Sequence, residues 1–223
     1  GLKSRIAYVL GRRNRFGHLN PVHLNTQVAT GQFWKEKRFD ETRHESWIVT
    51  YDKDIDRAKE DYVEHNLHKY NELPVWIGLE PASFGQAVDL FRMMKSEDQH
   101  EIAIGLGLKN GTMMADWLTA IRYLRNEAAH HCRIWNRERA FQMPRLKPRQ
   151  VGPELEHVVA MPASRKIYAT LAVATYLVRG IDPNSQFHNT VKTRVTKFEK
   201  ASQFTAVGSM GFPENWTTLA LWR

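Results

Sequence analysis

The sequence predicts an all-α protein, and two observations predict it. Apolar residues recur at intervals of three and four through most of the chain, the spacing that lays one apolar face along a helix. Nothing alternates convincingly with a period of two, so strands are few or absent. The punctuation agrees, because Ser, Thr, Gly and Pro fall where the periodic runs begin and end.

Leu2, Ile6, Val9 and Leu10 give a short first helix over 2–11, followed by a polar, basic turn from Arg12 to His18. Residues 25–50 carry Phe33, Trp34, Phe39 and Trp47 among many charges and read as helix. Residues 54–70 mix acids, bases and histidines, and read as an exposed helix with Tyr62, Leu67 and Tyr70 turned inward. Pro74 and Pro81 bracket a short apolar segment, Val75 to Leu79, since proline suits only the first turn of a helix. A helix over 82–94 puts Phe84, Val88, Phe91 and Met94 on one face, and Ser96-Glu97-Asp98 opens another that ends near Gly105 or Gly107. The main element follows. With Thr112 as N-cap after Asn110-Gly111, it continues without Pro or Gly over 112–140. A proline-rich, basic segment from Pro144 to Pro153 breaks the pattern. Ser164 then caps a strongly apolar helix over 165–179 that ends at Gly180, and a last helix over 184–204 leads into an irregular tail, 205–223. No internal repeat interrupts this order, which fits one domain over 1–223, with at most a small appendage.

Composition narrows the function classes. Hydrophobic content of 42% and charged content of 25% are ordinary for a globular protein with a sizeable core. No apolar run approaches the ~20 residues that span a bilayer, and no signal-peptide pattern opens the chain. The single cysteine, Cys132, excludes an internal disulfide framework and fits a reducing cytoplasm, and the short apolar runs give no reason to expect a membrane partner. A formal charge of +8 suggests a polyanionic partner such as nucleic acid, although many basic proteins bind none and carry such charge for solubility. There is no P-loop, no Gly-rich dinucleotide fingerprint and no paired-carboxylate site, so no cofactor is expected.

The 112–140 helix carries the chemistry. At about 100° per residue, Trp117, Ile121, Leu124, Ala128, Cys132 and Trp135 form a core-facing stripe. Arg122, Asn126, His130, Arg133 and Arg137 share the spacing on the other side, and Arg125 lies at the border, where a long side chain reaches outward. The bland reading of the polar stripe is a solvated helix face. Against it, the stripe holds cations and no acid, an arrangement that costs electrostatic energy unless an anion is bound. Asn126, four residues before His130, is also spaced to orient the imidazole. Phosphodiester cleavage suits this set. A histidine titrates near neutrality and can move a proton to or from an RNA hydroxyl, and an arginine fork stabilises charge on phosphoryl oxygens. One histidine does not easily serve both sides of a phosphate, which points to a second copy from another subunit.

Arg125-Asn126-Glu127-Ala128-Ala129-His130 fits the R-x4–6-H motif of the HEPN superfamily, a weak signal alone. The surrounding run is more specific. Tyr123-Leu124-Arg125-Asn126, then Ala129-His130-His131, Arg133 and Trp135-Asn136-Arg137 closely resemble the signature of the Abi-like abortive-infection family. Leu73-Pro74-Val75-Trp76, Lys95-Ser96-Glu97-Asp98 and Met210 to Trp216 extend the resemblance across nearly the whole chain. Ala128 stands where members often have Cys; on the core-facing stripe it reads as a packing change. The chain also looks shortened, because members carry helices before the segment that Leu2–Gly11 resembles. The resemblance implies a HEPN-like helical bundle with additional helices that dimerises through the motif-bearing helix. It implies metal-independent RNA cleavage leaving a 2′,3′-cyclic phosphate and a 5′-hydroxyl. Arg125 would stabilise the phosphate, His130 do acid/base work and Asn126 orient one of them. A role as a toxin in anti-phage defence, restrained by an RNA or protein antitoxin, is also implied.

His131 fits the same motif spacing and stays open as the catalytic histidine, although its position nearer the apolar face favours a structural role. Arg122, Arg133 and Arg137, with Arg145, Lys147 and Arg149 in the proline-containing loop, are candidate RNA contacts; surface charge for solubility is the competing reading. Zinc at His130-His131-Cys132 is disfavoured because neighbouring helical side chains diverge by about 100°. Trp34, Trp47 and Trp76 can stack bases but are more often core residues in a helical domain. Two readings of different class therefore remain: a homodimeric endoribonuclease, or a non-catalytic module that grips an antitoxin or guide RNA or only dimerises.

Overall fold

The structure is a computed structural model that describes residues 1–32, 41–139, 141–162, 164–201 and 206–223. Phe33, Trp34, Phe39, Ala140 and the end of the last helix, 202–204, lie outside the described residues. The fold is all-α. Among the described residues the helices are α1 (Leu2–Arg13), α2 (Thr26–Ala29), α3 (Arg43–Arg57), α4 (Asp61–Tyr70), α5 (Val75–Gly78), α6 (Phe84–Met93), α7 (Ser96–Ile104), α8 (Gly111–Ala129), α9 (Glu156–Val159), α10 (Ile167–Ile181) and α11 (Phe187–Ala201). Gln32 and Thr42 make one isolated antiparallel bridge. No described helix is long and apolar enough to cross a membrane. Two compact units result, Gly1–Ile102 and Ala103–Arg223.

In the first unit α1 and α3 both pack on α6, and α1 also on α5. Ile6, Leu10, Val75, Val88 and Phe91 are buried there, each contributing about 1.5–3 kcal/mol of apolar burial. α1 runs two residues past its predicted end because ion pairs hold its last turn: Arg12 Nη2 to Glu101 and Arg13 Nε to buried Asp98, each 2.7 Å.

The predicted helices over 25–50 and 54–70 are cut differently. Thr42 and Glu45 form a reciprocal cap, with Thr42 N donating to Glu45 Oε2 at 2.7 Å and Glu45 N to Thr42 Oγ1 at 3.2 Å. That cap starts α3, which runs to Arg57 and buries Trp47, Tyr51 and Ile55. A Cβ at Gly78 would collide with the Tyr51 hydroxyl, so a larger residue there forces the buried Tyr51 ring to shift. In α4 the predicted inward face is wrong. Tyr62, Leu67 and Tyr70 are exposed, Tyr70 by 53%, and Val63 is the buried residue at 1%. A ten-residue helix with one buried side chain is held mainly at that point. The apolar segment 75–79 forms the one-turn α5, and α6 and α7 follow the sequence expectation within two residues, although Phe84 is only half-buried.

In the second unit α8 packs on α10. Tyr168, Ala172, Val173 and Leu177 of α10 are buried. The tail is more regular than expected. Short 3-10 turns at Val207–Met210, Trp216–Thr218 and Ala220–Trp222 bring Phe212, Trp216, Leu221 and Trp222 into the core. The Phe212 and Trp216 rings meet edge-on at 4.8 Å, and Trp222 Nε1 donates to the Tyr168 hydroxyl at 3.1 Å.

Candidate functional site

α8 begins one residue earlier than predicted, with a different cap. Asn110, not Thr112, accepts at its side-chain oxygen from Met113 N, at 2.9 Å. Met114, Ala115, Trp117, Leu118, Ala120 and Leu124 are buried, and no residue from Arg125 to Ala129 is.

The helix does not reach residue 140. It stops at Ala129 with His130 as C-cap, and the next two amides turn back on it: His131 N donates to Ala128 O at 3.1 Å and Cys132 N to Glu127 O at 2.9 Å. This is a Schellman closure, in which the residue after the cap takes left-handed backbone. Glycine usually fills that place; here it is His131, at φ 55°. No Gly, Asn or Pro follows Ala129 to announce the stop, which is why the periodicity ran on.

The chain then returns. Arg139, only 3% exposed, reaches Glu127 Oε2 from Nε at 3.1 Å and Thr170 Oγ1 from Nη1 at 3.2 Å. Burial lowers the Arg139 pKa, and the Glu127 carboxylate works against that shift. Residues 130–138 thus form a loop clamped at its base by a largely buried ion pair. Neither partner was picked out in the sequence. The available signal was the lone acid Glu127 inside the motif, but an Arg twelve residues later has no helical relation to it.

Two predicted site residues are brought together: Arg125 Nη1 donates to Asn126 Oδ1 at 3.2 Å, and both are exposed. His130 is exposed at the helix end, and among the described residues no side-chain hydrogen bond joins it to Asn126. Five helical steps separate Arg125 from His130, which turns their Cα–Cβ directions about 140° apart. His131 is exposed outside the helix, so its expected place nearer the apolar face is corrected. Cys132 is likewise exposed, as are Ala128 and Trp135 (40%); the core stripe ends at Leu124, and Ala128 is not a core position.

The polar stripe ends at His130 for the same reason. Arg133 and Arg137 sit in the loop, exposed, with the Arg133 guanidinium 5.5 Å from the Trp135 ring centroid. Arg122 is half-buried beside Tyr123, 5.8 Å from that ring. Arg145, Lys147 and Arg149 point to solvent from a segment pinned by buried Met143 and Leu146. Trp47 is a core residue whose Nε1 donates to Gln86 O at 2.9 Å, and Trp76 is exposed. Among the described residues no group of three or more His, Cys, Asp or Glu side chains is gathered as a metal would require.

Comparison with known proteins gives one family. Residues 1–136 match the family model described as Abi-like protein, a name that refers to abortive infection. No curated protein and no solved structure matches the chain. The match runs through Arg125, Asn126, His130 and His131 and stops at Asn136, so α10, α11 and the Met210–Trp216 segment lie beyond it. With the motif helix and everything before it inside the match, and 136 of 223 residues covered, the chain belongs to the Abi-like protein family.

Proposed function

We propose that this chain is a metal-independent endoribonuclease of abortive infection. The observation that carries the reading is the end of α8, where Arg125, braced by Asn126, and His130 at the C-cap stand exposed within a chain of net charge +8. In the reaction, the 2′-oxygen of an RNA residue attacks its own 3′-phosphorus and the 5′-oxygen of the next nucleotide leaves. The products are a 2′,3′-cyclic phosphate and a 5′-hydroxyl. His130 takes the 2′-hydroxyl proton or supplies one to the leaving oxygen, and Arg125 faces the charge on the phosphoryl oxygens. A second copy of the chain supplies the other proton carrier, so the acting species is a homodimer. Arg122, Arg133, Arg137, Arg145, Lys147 and Arg149 hold the RNA backbone, and an antitoxin restrains the enzyme.

The test is cleavage of a labelled RNA in EDTA. Arg125→Ala and His130→Ala each lower the rate by about 100-fold or more, in line with removal of an acid/base or charge-stabilising group. Full activity in either, with contaminating nuclease excluded, removes the assignment. His131→Ala tells which imidazole acts.

One observation favours a second reading. Arg125 and His130 leave the helix about 140° apart, which suits gripping RNA as well as cutting it. Under that reading the wild-type protein binds RNA with steep salt dependence and leaves it intact.

A further inference from the structure

The half of α8 that carries Arg125 borders an open apolar groove. Its walls include Ile121 and Ala128 of α8, Leu171 of α10, and Val195 and Phe198 of α11, around a volume of about 560 Å³. α11 forms the facing wall. Phe187, Val191, Val195 and Phe198 fall at steps of four, four and three, which makes one apolar stripe, yet none of the fifteen residues of this helix is buried. At one end Trp135 leans on Phe198, with ring centroids 5.7 Å apart, and leaves the stripe open beyond it.

Charge selects the occupant. Arg125 and Arg194 line the groove, and among the described residues neither pairs with a carboxylate. α11 adds Lys192, Lys197 and Lys200 against the single acid Glu199. A second copy seated in the groove would set Arg194, Lys192, Lys197 and Lys200 of α11 against their own counterparts and be repelled, whereas the homodimer of the ribonuclease reading meets at His130, which does not line the groove. A helix whose apolar stripe is flanked by carboxylates meets both demands, because its stripe fills the groove and its acids reach the arginines. We propose that this groove is a docking site for an acidic amphipathic helix of a partner protein. Docking covers Arg125, so the partner also switches off the site; that consequence rests on the ribonuclease reading, whereas docking does not.

The test uses the full chain and a synthetic helical peptide, with Leu at alternating steps of three and four and Glu on the flanks, followed by anisotropy of a label on the peptide. A twin with Lys in place of Glu is the control. The Glu peptide binds about tenfold or more tighter than its twin at low salt. Arg194→Glu, a surface change, reverses that preference, and Val195→Asp in a variant of unchanged circular dichroism abolishes binding. Equal binding of the two peptides, no binding of the Glu peptide, or self-association of the chain that Val195→Asp dissolves would each overturn the proposal. RNA cleavage is read separately. Peptide binding by a protein that cuts no RNA leaves docking standing and removes the ribonuclease reading. Peptide binding that leaves cleavage unchanged removes only the switch.

Discussion

The two halves of α8 have the same apolar periodicity and opposite fates. In the first half, Met114, Trp117 and Leu118 are buried and Ala120 beside them. In the second, burial ends at Leu124; Ile121 and Ala128 continue the stripe and border an open groove, while Arg125, Asn126 and His130 are exposed. A repeat of three and four says which side of a helix is apolar; it does not say what lies on that side. The largest expected effect separates the halves. Trp117→Ala costs about 3–5 kcal/mol by urea unfolding, because a fully buried ring leaves a cavity. Arg125→Ala changes stability by less than about 0.5 kcal/mol, as surface substitutions do. Comparable losses from the two would erase the distinction.

Between the open end of α8 and its return stands Arg139. Removing one partner of a buried ion pair leaves the other charge uncompensated, so Arg139→Met costs about 3 kcal/mol. The loss has a local signature. Amide exchange at His131 and Cys132, whose N–H groups close the helix on Ala128 and Glu127, quickens more than exchange in the first half of α8. Uniform quickening along the helix would mean that Arg139 supports the whole unit and not its open end.

The contrast of covered and open residues extends to the histidines. His18 is fully buried, with Nε2 3.2 Å from the Tyr51 hydroxyl and its carbonyl bonded by His44 Nε2 at 2.8 Å. Burial, with His44 beside it, pushes its pKa down to about 3. The unfolded chain therefore binds the proton first. The stability that neutral His18 confers is complete above about pH 6.5 and falls by about 1.4 kcal/mol per pH unit toward pH 3. The advantage of the wild type over His18→Gln should shrink along that slope in thermal melts taken from pH 7 to 4. An advantage independent of pH would mean that the ring is protonated inside the fold or reached by water.

Most of the helices were legible because their signals are local. The 82–94 periodicity is found as α6, Phe84–Met93, and the start of α7 at Ser96 is marked in the chain itself. Asn126 was expected to orient Arg125 or His130, and the structure pairs it with Arg125. What escaped depends on distant partners. Tyr62, Leu67 and Tyr70 carry the composition of an inward face, but one contact at Val63 sets the roll of α4. Arg133 and Arg137 kept the helical spacing of the polar stripe, yet the stop after Ala129 is fixed by closure on Glu127 and by Arg139. The groove was invisible for the same reason, because α11 contributes its far wall.

The smallest expected effect bears most directly on where α8 ends. His131 holds left-handed backbone at φ 55°, a conformation that costs a residue with a Cβ about 1–2 kcal/mol and glycine almost nothing. His131→Gly relieves that cost and also loosens the unfolded chain, so the net gain is about 1 kcal/mol or less. Were the helix to continue through position 131, as its periodicity suggests, the same change would place glycine in a helix interior and lose about 0.3–0.5 kcal/mol, the gap between the helix propensities of His and Gly. The sign of one unfolding free energy thus decides between a closed and a continuous helix. It fixes the surroundings of His130 as well: a continuous helix restores Arg133 and Arg137 to its face, whereas a closed one leaves it at the rim of a loop.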